Sequence, residues 1–126
     1  MPRARRVIAV GVDAGQRLPE LLNTLKSHGY RPVAIPTVDE LLPTLGRHVD
    51  AVIVVYNPQG QDAAHRLLRE LAKQGIERPV IVLVDRSDFE QYYDLMCAGA
   101  FDYFELDGDP AWLEHALHCA EDRLAA

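Results

Sequence analysis

Five short apolar runs, rich in β-branched residues, alternate along the chain with five stretches whose leucines and aromatics recur at helical spacing. The first run, Val7-Ile8-Ala9-Val10, is followed by Leu18, Leu21, Leu22 and Leu25. Their i, i+3, i+4, i+7 spacing puts all four on one face of a helix. His28-Gly29 ends that helix, because glycine takes the left-handed cap conformation at no steric cost. The second run, 32–37, leads to a helix predicted over 39–47, with Val38, Leu41, Leu42 and Leu45 as its apolar stripe. Thr37 or Asp39 is its expected cap, and Pro43 falls in the first turns, where proline is tolerated. The runs 51–55 and 79–84 are continuous rather than alternating, as strands are when helices cover both faces of a sheet. Asn57-Pro58-Gln59-Gly60 turns the chain into a helix bearing Ala63, Ala64, Leu67, Leu68 and Leu71. The remaining elements are a helix over 88–98, a strand over 101–106 and a helix over 110–124, with Pro110 at a first helical position.

Strands alternating with helices through short connections imply a parallel sheet with right-handed crossovers. The predicted fold is therefore α/β: a flavodoxin-like (βα)5 three-layer sandwich with a parallel five-stranded sheet in the order 2-1-3-4-5. One domain is expected over 7–124, preceded by a basic tail over 1–6.

Composition narrows the function. A chain of 126 residues, 48% of them hydrophobic, can bury a core without disulfides or metals. It has no apolar stretch long enough to span a membrane, and 7–10 is too short for the core of a signal peptide. A cytoplasmic protein is expected, with Cys97 and Cys119 as reduced, half-buried thiols. Net charge is −6, and setting aside Arg3, Arg5 and Arg6 leaves 10 basic against 19 acidic side chains, or −9. A body that acidic repels phosphate backbones, so no nucleic-acid binding is expected of the domain.

In such a sheet, chemistry sits beyond the carboxyl ends of the strands, where the winding reverses. The loops concerned are 11–15, 56–60, 85–88 and 106–109. None carries a phosphate-loop or Gly-x-Gly-x-x-Gly signature, and the first lacks the Asp-x-His-x-x-Gly of cobalamin-binding domains. His115 and His118 share a face of the last helix beside Cys119, which is expected to be buried, but no further ligands converge there. His28, His48 and His65 are scattered over three units and precede no nucleophile. Neither a metal nor a cofactor is expected.

The length, the five units, the segment Ala98-Gly99-Ala100-Phe101-Asp102-Tyr103 and the stretch 79–88 together resemble the receiver domain of bacterial response regulators, the CheY-like superfamily. That family uses an acidic pair after the first strand, a phosphoacceptor aspartate ending the third, a Thr or Ser ending the fourth and a lysine ending the fifth. Residue by residue, these positions fall on Gly11 and Val12, on Val55, on Val84 and on Leu106. All five depart from the pattern. Valine and glycine side chains supply no oxygen ligand for magnesium, and valine cannot accept a phosphoryl group. The resemblance therefore implies a degenerate, non-enzymatic receiver of two-component or phosphorelay signalling, its former site rebuilt as an apolar patch joining the strand ends. Asp13 and Asp85 are the candidate substitute acids.

Tyr103 matches the family's switch aromatic; with valine at 84 the hydroxyl that couples it is gone, and one fixed orientation is expected. Phe89, Tyr92, Tyr93, Tyr103, Phe104 and Trp112 crowd the face formed by the fourth helix, fifth strand and fifth helix, through which the family commonly dimerises or contacts its output. A protein partner or a dimer through that face is expected, with an output domain in a longer chain; the helical ending 121–126 is compatible with a domain cut at its boundary. Two alternatives stay open: a small-molecule sensor using the switch-point crevice beside Gly11 and Asn57, and residual phosphoacceptor activity through Asp13 or Asp85.

Overall fold

The structure is a computed structural model that describes residues 5–11, 17–35, 37–46, 51–60 and 62–125. In chain order the elements are β1 (Arg5–Gly11), α1 (Arg17–Ser27), β2 (Tyr30–Ile35), a 3-10 turn (Val38–Glu40), α2 (Leu41–Leu45), β3 (Val52–Asn57), α3 (Ala63–Lys73), β4 (Val80–Val84), α4 (Phe89–Cys97), β5 (Asp102–Glu105) and α5 (Pro110–Ala125). The strands form one parallel sheet in the order β2-β1-β3-β4-β5, as the alternation predicts.

Both faces of the sheet are covered, so successive residues of the central strands enter different cores. Val52, Val54, Tyr56, Ile81 and Leu83 pack with Leu21 and Leu25 of α1 and with Leu113, Ala116 and Leu117 of α5. Ile53, Val55, Val80, Val82 and Val84 pack with Leu41, Leu67, Leu71 and Leu95 of α2, α3 and α4. All of β3 and β4 is buried, which is why these runs are continuously apolar.

Some boundaries differ from expectation. Arg5 and Arg6 belong to β1, pairing with Tyr30 and Arg31, so the strand starts two residues before Val7. Tyr30 is buried against α1 and α5, and seating that ring starts β2 earlier than the proline at 32 suggests. Neither Thr37 nor Asp39 caps α2: a 3-10 turn precedes it, and its N-cap Glu40 makes no side-chain cap bond. The expected end of that helix, 47, lies outside the described residues. Gly29 has φ +84°, the left-handed cap conformation predicted for it. Both cysteines are exposed, not half-buried: α4 turns Leu95 inward and leaves Cys97 outside, and α5 turns Ala116, Leu117 and Ala120 toward the sheet and leaves Cys119 outside. Cys119 instead lies with its Sγ 3.6 Å from His115 Nε2, one turn back on the outer surface. No helix among the described residues is long and apolar enough to cross a membrane.

Candidate functional site

The winding reverses between β1 and β3, and the carboxyl ends of β1, β3, β4 and β5 line up there. Register sets Gly11 beside Tyr56, Asn57 beside Val84, and Val84 beside Glu105. Val12 and Asp13 lie outside the described residues. Val55 is completely buried and Val84 nearly so, in the same apolar cluster as Val82, Ala64 and Tyr103. Leu106 packs from the turn after β5 against the cluster on the opposite face, and its N–H donates to the Val84 carbonyl at 2.8 Å. Asn57, also buried, spends its Oδ1 accepting from the Ala64 N–H at 3.1 Å. It thereby caps α3, whose N-cap Asp62 makes no side-chain cap bond.

On the other face the strand ends are tied by charge. Arg17, the first residue of α1, reaches over the sheet and donates to Asp85 Oδ1 and to Asp107 Oδ1, each at 2.8 Å. It pairs with Glu20 at 2.8 Å as well. The Tyr56 hydroxyl donates to Asp85 Oδ2 at 2.6 Å, and the guanidinium lies 5.9 Å from the centre of the Tyr56 ring. Partial burial would lower the Arg17 pKa, but Asp107, Glu20 and Asp85 overcome this and raise it. Burial, with the bond to Asp85 second, pushes the Tyr56 phenol up to about 12. A raised phenol pKa means that the fold favours the neutral form. The contribution is thus full below pH 10, the ordinary value, and lost as pH rises through about 12. In an ultraviolet titration of tyrosine, Tyr56→Phe removes this late component.

Arg17 and Tyr56 were not singled out by sequence reasoning. Two of the partners of Arg17, Asp85 and Asp107, lie 68 and 90 residues away in the chain, and no local spacing encodes such contacts. Asp85, the candidate substitute acid within the described residues, has one carboxylate oxygen on Arg17 and the other on Tyr56. Magnesium needs several oxygen ligands in near-octahedral array. Apolar side chains surround Val55 and both carboxylate oxygens of Asp85 are already engaged, so the described residues do not fit that ion. Among them no three His, Cys, Asp or Glu converge on a point. A crevice of about 180 Å³ lies beside Asn57, Val84 and Asp85, between the loops after β3 and β4. Small-molecule pockets usually reach about 300 Å³ or more.

The loop after β4 is fastened to β5. The Ser87 N–H and hydroxyl both donate to Glu105 Oε2, at 2.8 and 3.0 Å, and these bonds hold the Glu105 carboxyl below its ordinary pKa. Tyr103 is turned inward, 6% exposed; its hydroxyl accepts from the Asp88 N–H at 3.1 Å and donates to Gln91 Oε1 at 2.7 Å. The Tyr92 ring meets it edge-on at 5.7 Å. Asp88 caps α4, accepting from the N–H groups of Glu90 and Gln91. Tyr103→Phe leaves the Asp88 N–H and the Gln91 carbonyl without this partner. A loss of about 1–2 kcal/mol is expected, read as a lower melting temperature and faster hydrogen exchange at Asp88.

The aromatic residues divide between core and surface. Tyr103 is buried and Phe104 partly so, whereas Phe89, Tyr93 and Trp112 are 78%, 60% and 57% exposed, and Tyr92 41%. His115 of α5 lies close enough to Asp102 of β5 to favour its ionised form, although burial, the larger effect, raises that carboxyl's pKa. Tyr92 of α4 meets Tyr103 of β5, and Leu113 of α5 shares an apolar cluster with Phe104 of β5, so β5 lies between the two helices.

No protein-family model matches the chain, and no curated protein matches it by sequence. The fold does match solved structures. The crystal structure of FixJ-N superposes with a TM-score of 0.84 over 99% of both chains, at 22% identity. The beryllofluoride-activated N-terminal receiver domain of Klebsiella pneumoniae RstA gives 0.72 over 93% of this chain and 98% of its own, at 21% identity. NtrX from Brucella abortus, in complex with ADP, gives 0.72 at 21% identity over 96% of this chain, but that match spans only 28% of NtrX. The chain thus has the flavodoxin-like fold seen in response-regulator receiver domains. Its similarity to FixJ-N, the RstA receiver and NtrX is a similarity of fold.

Proposed function

We propose that this chain is a receiver-like regulatory domain of two-component-type signalling that works without aspartyl phosphorylation. It is a cytoplasmic, non-enzymatic module that presents its α4–β5–α5 surface to a protein partner. The observation that carries this reading is Val55, fully buried in the apolar core where a receiver would hold its phosphoacceptor. Three further features support it. Val84 replaces the hydroxyl that would couple a phosphoryl group to Tyr103, Asp85 is engaged on both oxygens, and the loop after β4 is already fastened to β5. A surface so held is suited to constitutive recognition, or to control by the partner itself. The short share of NtrX that the match spans supports an output domain in a longer chain.

Magnesium titration followed by amide chemical shifts tests the reading. No saturable change at the strand ends is expected up to about 10 mM. A saturable shift at residues 55–57 and 84–86, abolished by Asp85→Asn, would overturn it.

A further inference from the structure

Between Arg86 and Arg123 the chain carries ten Asp and Glu residues and neither Lys nor Arg; the rest of it has thirteen Lys and Arg against nine Asp and Glu. The fold gathers that acidic segment into α4, β5 and α5, the elements that expose Phe89, Tyr93 and Trp112. Glu90 and Asp94 alternate with these rings on α4, and no Lys or Arg pairs with either among the described residues.

Resting on the interaction reading above, we propose that this face docks a basic protein segment, a helix whose Lys or Arg side chains flank apolar anchors, and not a second copy of itself. Exposed aromatics of this size mark a contact surface, and the charge around them selects the occupant. In a two-fold pairing the same patch lies on both partners, so Glu90 and Asp94 would face an equally acidic segment. A cationic segment meets the opposite situation. The acids steer it in, and Tyr93 and Trp112 offer ring faces to its ammonium or guanidinium groups.

The test uses the whole chain labelled for amide chemical-shift mapping. The probes are a synthetic amphipathic Leu/Lys helix and its twin with Glu in place of every Lys. The Lys peptide is expected to shift amides of α4, β5 and α5 saturably and to move the emission of Trp112, the chain's one tryptophan. The Glu twin leaves both unchanged. Raising NaCl from about 50 to about 500 mM weakens binding about tenfold. Glu90→Lys with Asp94→Lys does the same; both sites are exposed, so the variant is expected to keep its circular dichroism. Trp112→Ala weakens binding through the apolar anchors instead.

Equal binding of the Glu twin on this face, or a homodimer burying Trp112, would overturn the basic-partner inference and leave the interaction reading standing. No saturable shift with the Lys peptide up to about 1 mM overturns the inference. Shifts confined to the strand-end crevice would overturn both.

Discussion

Val55→Asp is expected to lower the melting temperature by on the order of 10–20 °C and to leave the chain unable to take up phosphate. The substituted side chain would stand at a position with no exposure, among Val82, Val84 and Tyr103. Among the described residues the members of that cluster are apolar apart from the Tyr103 hydroxyl, while Leu106 packs on the other side of the sheet and Arg17 is engaged there. Burying an unpaired carboxyl costs about 3–5 kcal/mol even after it takes up a proton, a large part of the roughly 5–15 kcal/mol that stabilises a domain. The loss is expected to deepen as pH rises and the carboxyl is driven to ionise, a readout that simple loss of packing volume would not give. Val55→Thr, with one hydroxyl to satisfy, should cost less, about 1–3 kcal/mol. An aspartate variant as stable as the parent would mean that the strand end is open to solvent or to a cation.

Arg17→Ala is expected to cost about 1–2 kcal/mol, or about 4–8 °C in melting temperature. Truncation leaves Asp85, Asp107 and Glu20 without their shared cation and removes the guanidinium from beside the Tyr56 ring. The side chain is 26% exposed, so water screens part of the interaction and keeps the loss below that of a buried ion pair. Asp85→Asn in the Arg17→Ala background should recover some of the stability, whereas the same change in the parent should reduce it. A double-mutant cycle showing no coupling between the two sites would contradict the role given to this network.

These two predictions bear on opposite faces of one sheet end, and they were not equally legible in the sequence. Val55 and Val84 could be placed from the run of β-branched residues and the family-like segment over 98–103. Continuous apolar runs report burial on both faces directly. The fold followed from the same signal, since five strand–helix units of this size leave few topologies. The Arg17 network was illegible because its members come from α1 and from the loops after β4 and β5, brought together only by the crossovers. The buried placement of Tyr103 and the outward placement of Phe89, Tyr93 and Trp112 were legible only in part. Aromatic content showed that the segment was unusual, but α4 has a single fully buried side chain, Leu95, and only its packing shows which rings are left outside. Cys119 was misjudged for a related reason: the three small or apolar residues near it on α5 take the sheet-facing positions. The lack of Lys and Arg between 86 and 123 was in plain view, yet it acquires meaning only when α4, β5 and α5 are seen to share a surface.

If this receiver-like fold works without phosphoryl chemistry, as we propose, incubation with acetyl phosphate and magnesium leaves its intact mass unchanged at all times, with a phosphorylatable receiver domain as the positive control. A gain equal to one phosphoryl group, labile to hydroxylamine and traced to an aspartate of this chain, would contradict it.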